Sequence, residues 1–431
     1  MTDRLNKRSI FYICLAILMI LITGIYLLKL AIPKIVLTAV ILFIVFSGGT
    51  NEIIAISVSC IPLHTIVDLA PVIGFCIIAY VIKNYHNIQI GYAEVLALVI
   101  LIWEILHAFS GDLNFKLIIG SLLSIFYIII IMSSDIHDID YVCIVKSLAT
   151  VSICVCFILL GNCLKQSGYD FNVAMAEIQR LGAMSEDVQI VINPNTVGII
   201  NVLAISGLLQ IYNTIGQNKF SILLLVSILM IMGMLTASRT FLVLLLIVLI
   251  MNVIGWAGTL GKKIRYFAAI SLFCLILFLV YKQMFPYNYE FFMSRFEEKD
   301  ILNGRDEILS EYDMYMSNNI WVLFFGVGLT DFNEKVLNIY SISKSVPHNG
   351  FQEIVVAWGI PGLIMMAFLL YLMINESSKY SMRKSLINYI SLVVILVKIM
   401  AGQLLTSGYT MLSLVLAYLS LCQNFKQTEE N

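Results

Sequence analysis

Long apolar stretches separated by short polar breaks fill almost the whole chain. They run for about 15 to 22 residues and end at Gly, Pro, Asn or charged residues, as helices that cross a lipid bilayer do. This pattern predicts an all-α, polytopic transmembrane helical bundle of about 12–14 spans. Pro62 and Pro71 interrupt the third and fourth stretches, which form either two crossings or one re-entrant hairpin. The candidate spans are residues 10–28, 33–47, 51–66, 69–83, 92–109, 115–133, 140–161, 192–213, 219–235, 240–256, 265–283, 350–374, 386–400 and 403–422.

The composition excludes a soluble protein. Of the 431 residues, 60% are apolar and only 12% are charged, and the mean hydropathy is +0.94. A surface that faces water cannot be built from this mixture, so membrane lipid must cover most of the outside. The net charge of -1 also argues against a nucleic-acid partner, because binding to phosphate backbones needs an excess of basic residues.

Basic residues predict the orientation. The first apolar stretch follows basic residues, as in a signal peptide, but no small-residue cleavage site comes after it, so we expect it to stay as the first span. Fourteen spans would place three basic residues in short loops on one side (Lys29, Lys34 and Lys116). They would place twelve on the other: Arg4, Lys7, Arg8, Lys83, Lys219, Lys262, Lys263, Arg265, Lys379, Arg383, Lys384 and Lys426. The positive-inside rule then puts both termini in the cytoplasm.

Two segments are too long and too polar to be simple turns, and both fall on the external side of this topology. The chain therefore divides into an amino-terminal transmembrane bundle (1–161), a first external loop (162–191), a transmembrane core (192–283), a large external loop (284–349) and carboxy-terminal spans (350–431). The large loop carries ten Asp and Glu residues between Pro286 and His348. We expect the catalytic part of the protein there. No nucleotide-binding glycine motif is present, which argues against ATP-driven pumping.

An arginine interrupts the apolar run 219–256 at Thr236-Ala237-Ser238-Arg239-Thr240. A run of that length holds two short spans, so the polar break is their outward hairpin turn. Arg239 either anchors this turn at the lipid head groups or binds an anion at the mouth of a cavity. A guanidinium group suits a phosphate because it donates hydrogen bonds in pairs and stays charged.

A second arginine lies in the large external loop. Residues after Asn303-Gly304-Arg305-Asp306-Glu307 are amphipathic and predict an external helix on the membrane face, with Ile308, Leu309, Tyr312, Tyr315 and Met316 on its apolar side. Asp306 and Glu307 suit the first turn of such a helix, whereas a cation there gains nothing unless it faces an anion. Arg305 therefore either pairs with a neighbouring carboxylate or binds a substrate anion.

A histidine stands at the entrance to the next span. After the glycine turn Gly326-Val327-Gly328, the sequence Pro347-His348-Asn349-Gly350 leads directly into a helix. An imidazole can accept a proton near neutral pH, so His348 is a candidate general base, with a structural role as the alternative. Asn349 and Glu353 could support it. Glu353 either orients the imidazole or serves as a hydrogen-bonding group at the lipid interface.

Two further ionisable residues, Glu104 and Lys398, lie inside apolar spans toward the external side. Charged groups within the bilayer are functional candidates, although pairing with each other or with local partners is the simpler explanation.

Taken together, these features resemble the O-antigen polymerase and O-antigen ligase family of bacterial surface-polysaccharide assembly. Four match in order: an Asn-Pro-Asn entry to a span at 193–195, Ser-Arg at an outward turn, Gly-Arg in a large external loop, and a Gly-Val-Gly turn followed by His-Asn and Gly359-Ile360-Pro361-Gly362. The similarity runs from about residue 190 to 375; the amino-terminal third matches only in being hydrophobic.

The resemblance implies a helical membrane glycosyltransferase. It would act at the outer face of the bacterial inner or plasma membrane on oligosaccharides linked to undecaprenyl diphosphate, with a repeat-unit flippase and a chain-length regulator as partners. Arg239 and Arg305 would bind the diphosphate, and His348 would serve as base or orient the acceptor. We expect the transfer to invert the anomeric centre. Because the external side has no Asp-x-Asp motif, we expect it to need no metal, and we also expect no cofactor.

The acceptor decides between the activities of this family. A polymerase adds the glycan to another lipid-linked repeat unit of O-antigen or capsule, and a ligase adds it to a lipid A core. The external loops carry no added domain, which favours the polymerase. A polysaccharide flippase or secondary transporter is the main rival, with a structural scaffold as another; no internal repeat typical of transporters is evident.

Overall fold

The computed structural model describes residues 2–108, 115–170, 172–174, 180–182, 192–214, 219–256, 258–297, 305–329, 347–381 and 385–423. These residues form helices and their connections, without a β-strand. The first helices are α1 (Thr2–Tyr26), α2 (Lys34–Ser47), α3 (Thr50–Ser59), α4 (Leu69–Asn84), α5 (Tyr92–Ala108), α6 (Phe115–Met132), α7 (Tyr141–Gln166) and α8 (Pro194–Thr214). They are followed by α9 (Lys219–Leu235), α10 (Arg239–Gly255), α11 (Leu260–Met284), α12 (Pro286–Glu297), α13 (Arg305–Asn318), α14 (Ile320–Phe325), α15 (Gly350–Ser377), α16 (Ile390–Met400) and α17 (Gly408–Leu421).

Each of the fourteen predicted spans contains a helix, which confirms the all-α polytopic fold. Six helices in the described part of the chain (α1, α4, α7, α8, α11 and α15) are long and apolar enough to cross a membrane, and shorter apolar helices accompany them. The uncertain region 51–83 folds as α3, a 3₁₀ turn at Ile61–Leu63 and α4. Because α3 has only 10 residues, it rises about 15 Å before the turn.

The burial of two helices shows where lipid and core lie. In α17 every residue from Tyr409 to Leu421 is buried, so this helix runs through the centre of the bundle. In α11 only 11% of the residues in the most apolar stretch are buried by protein, and side chains such as Leu272 and Leu275 are exposed. A helix that is apolar on all sides and so little covered needs hydrocarbon as its solvent.

Polar contacts hold the end of the bundle at which α1 begins. Arg8 pairs with Asp140 at 2.8 Å. Lys83 donates to the carbonyls of Val45 and Phe46, at 3.2 and 3.1 Å, where a cation stabilises the carboxyl end of α2. These basic residues belong to the group predicted to face the cytoplasm. We refer to the opposite end of the bundle, where α8 and α15 begin, as the distal end.

The helix α15 is broken in its middle, and the glycine turn 326–328 repairs the break. Gly359 has a φ of +69°, and Pro361 has no N–H, so the carbonyl of Ala357 has no helical partner. The backbone N–H groups of Val327 and Gly328 donate to the carbonyls of Val356 and Ala357, each at 2.8 Å. The predicted Gly-Val-Gly and Gly-Ile-Pro-Gly motifs are therefore two parts of one backbone junction.

Candidate active site

The turn between α9 and α10 is buried rather than open at the distal end. Thr236 and Ala237 are fully buried and Ser238 is 1% exposed, while Arg239 is half-buried. Ala237 has a φ of +45°, which makes the turn tight. Ser238 begins α10 because its Oγ accepts from the N–H of Phe241 at 3.3 Å, as N-cap serines do. This places Arg239 at the first position of the helix.

Side chains from distant segments satisfy the carbonyl groups that end α9. The carbonyl of Leu235 accepts from Asn288 Nδ2 at 3.2 Å and also from the N–H of Leu181. Arg180 Nε donates to the Thr236 carbonyl at 3.1 Å, and Arg295 Nη1 donates to the Ala237 carbonyl at 2.9 Å. Terminal helix carbonyls carry partial negative charge, so two guanidinium groups are well matched to this position.

The helix α12 covers this turn. Its buried residues are Asn288, Phe292 and Arg295, spaced four and three positions apart on one helix face. Tyr281 donates to Asn288 Oδ1 at 2.5 Å and so orients the amide toward α9. Sequence reasoning did not single out α12 or Arg295. A signal was present, because a basic residue continued the apolar face of a short amphipathic segment.

The Asn-Pro-Asn entry to α8 contacts the same turn. Asn195 Oδ1 accepts from Ser238 Oγ at 2.8 Å and from Arg180 Nη2 at 3.1 Å. Asn193 Oδ1 accepts from the N–H of Asn195 at 2.9 Å, which satisfies one of the orphan donors of α8. The motif therefore links the segment that contains Arg180, before α8, to the turn that contains Ser238, before α10. Arg180, from the predicted first external loop, was not singled out by sequence reasoning either.

The predicted external helix of the large loop forms as α13, with Ile308, Tyr312, Tyr315 and Met316 buried. Arg305 is its first residue, and the Arg305 side chain lies outside the described part of the structure. Gln352 in the first turn of α15 donates to the Leu309 carbonyl at 2.9 Å and to Asp313 at 2.8 Å. These bonds hold the middle of α13 beside the start of α15, and the backbone of Arg305 lies about one helical turn before Leu309.

His348 is half-buried, immediately before the N-cap of α15. Asn349 is that cap: its Oδ1 accepts from the N–H groups of Phe351 and Gln352 at 2.9 and 3.3 Å. The role of Asn349 in the structure is thus to fix the start of the helix that follows His348.

Glu353 and Lys398 hold opposite sides of one loop. The carboxylate of Glu353 is fully buried and accepts from the N–H groups of Leu404 (2.5 Å), Leu405 (3.0 Å) and Thr406 (2.8 Å). Lys398 donates to the carbonyl of Gln403 and, at 2.5 Å, to Thr410 Oγ1. We call residues 401–407 the clamped loop. Its anchoring engages both carboxylate oxygens, so the structure gives Glu353 a positioning role.

Glu104 lies apart from the other candidates. It accepts from Trp358 Nε1, just before the break in α15, and the neighbouring Trp103 Nε1 donates to the Trp358 carbonyl at 3.1 Å. Glu104 and Lys398 therefore each have hydrogen-bond partners within the fold.

The structure brings the principal candidates to one end of the bundle. Arg239 adjoins the Ser238–Asn195 contact, His348 adjoins the capped start of α15, and the backbone of Arg305 lies one turn from Leu309, which α15 contacts. A cation at the first position of a helix is disfavoured by the helix dipole unless an anion is nearby. Arg239 and Arg305 both occupy that position. Arg239, the backbone of Arg305 and His348 therefore lie at the same end of the bundle.

In a comparison with protein families, residues 222–367 match the model of the O-antigen ligase family. None of the curated proteins compared with the chain matches it. The matched segment is roughly a third of the chain and includes Arg239, Arg305, His348 and Glu353. It confirms the resemblance to the O-antigen ligase and polymerase family, whose members are glycosyltransferase-like enzymes of glycan assembly. Arg180, Asn195 and Lys398 lie outside it.

The contacts of Glu353 predict a strong effect of one substitution. Glu353→Gln places an amide NH₂ group against backbone N–H donors, so we expect a loss of about 2–3 kcal/mol of stability. The measurement is the Tm of the purified protein in detergent. Glu290→Gln on α12 is the matched control, because Glu290 is exposed and its substitution should change stability by less than about 0.5 kcal/mol. A Glu353→Gln variant with the wild-type Tm would show that the carboxylate does not hold the clamped loop.

Proposed function

We propose that this chain, which carries an O-antigen ligase family domain at residues 222–367, is a polysaccharide polymerase. It joins oligosaccharide repeat units linked to undecaprenyl diphosphate into O-antigen or capsular polysaccharide at the outer face of the bacterial inner or plasma membrane. The observation that supports this proposal is that Arg239, the backbone of Arg305 and His348 all lie at the distal end of the bundle.

Arg239 and Arg305 bind the diphosphate of the donor in this proposal. Glycosyl transfer breaks the bond between the anomeric carbon and the diphosphate oxygen, so negative charge develops on the leaving group. Guanidinium groups fixed in a water-poor site stabilise that charge without reorganisation. They perform the task that a metal ion has in other glycosyltransferases, and we therefore expect the reaction to proceed without a metal.

His348 takes the proton from the acceptor hydroxyl. The hydroxyl oxygen attacks the anomeric carbon from the side opposite the leaving diphosphate, which inverts the anomeric centre. The bond to the diphosphate breaks as the glycosidic bond forms, and the lipid diphosphate departs. The energy of the donor linkage drives the transfer, so the reaction requires no nucleotide.

The ligase is the second candidate, because the matched family is described as O-antigen ligase. Both activities use the same donor, and they differ only in whether the acceptor is a second lipid-linked repeat unit or a lipid A core. Of the two partners expected from the resemblance, the repeat-unit flippase supplies the lipid-linked substrate, and the chain-length regulator limits the length of the glycan.

Reconstitution tests the activity directly. Purified protein mixed with a lipid-diphosphate repeat unit should give a ladder of lengthened glycans, and EDTA should leave the ladder intact. Glycan appearing only on an added lipid A core would identify a ligase. Transport of the lipid across vesicles without new glycosidic bonds would identify a flippase, and activity lost in EDTA and restored by a divalent ion would overturn the metal-free chemistry.

Substitution of the three proposed site residues tests the assignment in cells. His348→Ala should lower the rate about 10²–10⁴-fold, the usual contribution of a general base. Arg239→Lys and Arg305→Lys should each lower it about 10²-fold or more, because an ammonium group cannot donate in pairs. The measurement is the length of the surface polymer, with membrane expression recorded alongside.

Arg265→Lys is the matched control for the arginine variants. Arg265 is exposed near the start of α11, at the end of the bundle opposite Arg239, so the polymer should keep its normal length. Full-length polymer from all three site variants, expressed at normal levels, would refute the assignment.

A further inference from the structure

A cavity of about 590 Å³ lies at the distal end, among side chains that the proposed chemistry does not use. It is bounded by the turn between α3 and α4, by α6 and by the clamped loop with the start of α17. Its volume falls in the range of about 300–1,000 Å³ that small-molecule sites occupy. The polar and aromatic side chains on its wall are His64, Thr65, Asp68, Ser121, Gln403, Thr406, Ser407 and Tyr409.

The charge of the wall argues against a phosphate ligand. Asp68 is the carboxylate of the lining, and neither lysine nor arginine lines the cavity in the described part of the chain. Lys398 lies behind the wall: its Nζ is 5.1 Å from the centre of the Tyr409 ring and donates to Gln403 and Thr410. A diphosphate would meet a like charge here, so the cavity suits an uncharged ligand.

The chemistry of the wall suits a ligand rich in hydroxyl groups. A carboxylate accepts hydrogen bonds from hydroxyls, and the amide of Gln403 both donates and accepts. The rings of His64 and Tyr409 lie 4.7 Å apart, inclined by 40°, and add aromatic surface beside these groups. A sugar ring presents the same combination, with hydroxyls around its edge and C–H groups on its faces.

The wall of the cavity contacts both halves of the proposed site. Thr406 in the clamped loop donates to Glu353, which lies in the helix that begins after His348. On the other side, Tyr409 and Thr196 share a hydrogen bond of 3.4 Å between their hydroxyls, and Thr196 follows Asn195, which binds Ser238 beside Arg239. A ligand in the cavity therefore lies next to the elements that carry the base and the diphosphate ligands.

We propose that this cavity binds an uncharged saccharide, the sugar end of the repeat unit that accepts the glycan. The inference rests on the proposed glycosyl transfer and adds to it a separate sugar-binding subsite in which Asp68 and Gln403 recognise hydroxyl groups. The two parts of the substrate bind in regions of different charge: the arginines bind the diphosphate, and the cavity, with its carboxylate, binds the neutral sugar.

Direct binding tests the subsite without turnover. The probe is the free oligosaccharide repeat unit, released without lipid or phosphate from the host's own surface polysaccharide and titrated into the full-length protein in detergent. Asp68→Asn keeps the cap that Asp68 makes with the N–H of Ala70, since asparagine caps helices as well as aspartate does. We expect Asp68→Asn and Gln403→Leu each to weaken binding by about tenfold or more.

Asp135→Asn is the matched control. Asp135 also accepts from a backbone N–H, that of His137, and lines a different cavity, at the end where α1 begins. This variant should bind the oligosaccharide as the wild type does. Inorganic pyrophosphate should not compete with the oligosaccharide for binding.

The outcomes separate the two proposals. Wild-type protein that does not bind the oligosaccharide, or that binds it equally well with either cavity substitution, overturns the subsite even if glycosyl transfer is intact. Competition by pyrophosphate also overturns it, because the cavity would then be a phosphate site. Binding that depends on Asp68 and Gln403 in a protein that makes no glycosidic bonds supports the sugar subsite and overturns the polymerase.

Discussion

The hydrogen bonds to the carbonyl groups that end α9 are the interaction on which the distal end depends. Leu235, Thr236 and Ala237 end a membrane helix in a buried turn, where an unpaired carbonyl would be costly. Asn288, Arg180 and Arg295 supply the donors from two segments that are far away in sequence. The same bonds therefore fix α12 and the residues before α8 over the turn, and they place Arg239 at the amino end of α10. Local satisfaction of backbone groups thus assembles a site from three parts of the chain.

A second buried group acts in the same way beside His348. Glu353 binds three N–H groups of the clamped loop, and Lys398 binds a carbonyl of that loop, so opposite charges on α15 and α16 hold one segment between them. The loop in turn shapes the cavity next to the start of α17. The distal end is consequently divided into a region of guanidinium groups and a cavity that contains a carboxylate. This division matches a substrate that has an anionic carrier and an uncharged glycan.

The spans, the turn before Arg239 and the amphipathic helix α13 could be predicted from the sequence, because each has a periodic or compositional signature. It did not indicate the partners of the turn. Arg180 and Asn288 are single polar residues in polar segments, and only the folded chain shows which carbonyl each one reaches. Glu353 was expected either to orient an imidazole or to serve as a hydrogen-bonding group at the lipid interface. Its carboxylate anchors a loop some fifty residues later, a contact with no sequence pattern. The glycine motifs were recognised, but their pairing across α14 and α15 depends on the N–H that Pro361 lacks.

The central claim is that a lipid-borne diphosphate binds at the distal end between Arg239 and the start of α13. The most direct measurement is a cryo-electron microscopy structure of the protein in a lipid nanodisc with a lipid-diphosphate oligosaccharide bound. The account predicts phosphate oxygens within hydrogen-bond distance of the Arg239 and Arg305 guanidinium groups, with the glycan toward His348 and the clamped loop. A diphosphate bound at the end where α1 begins, or one that contacts neither arginine, would contradict it.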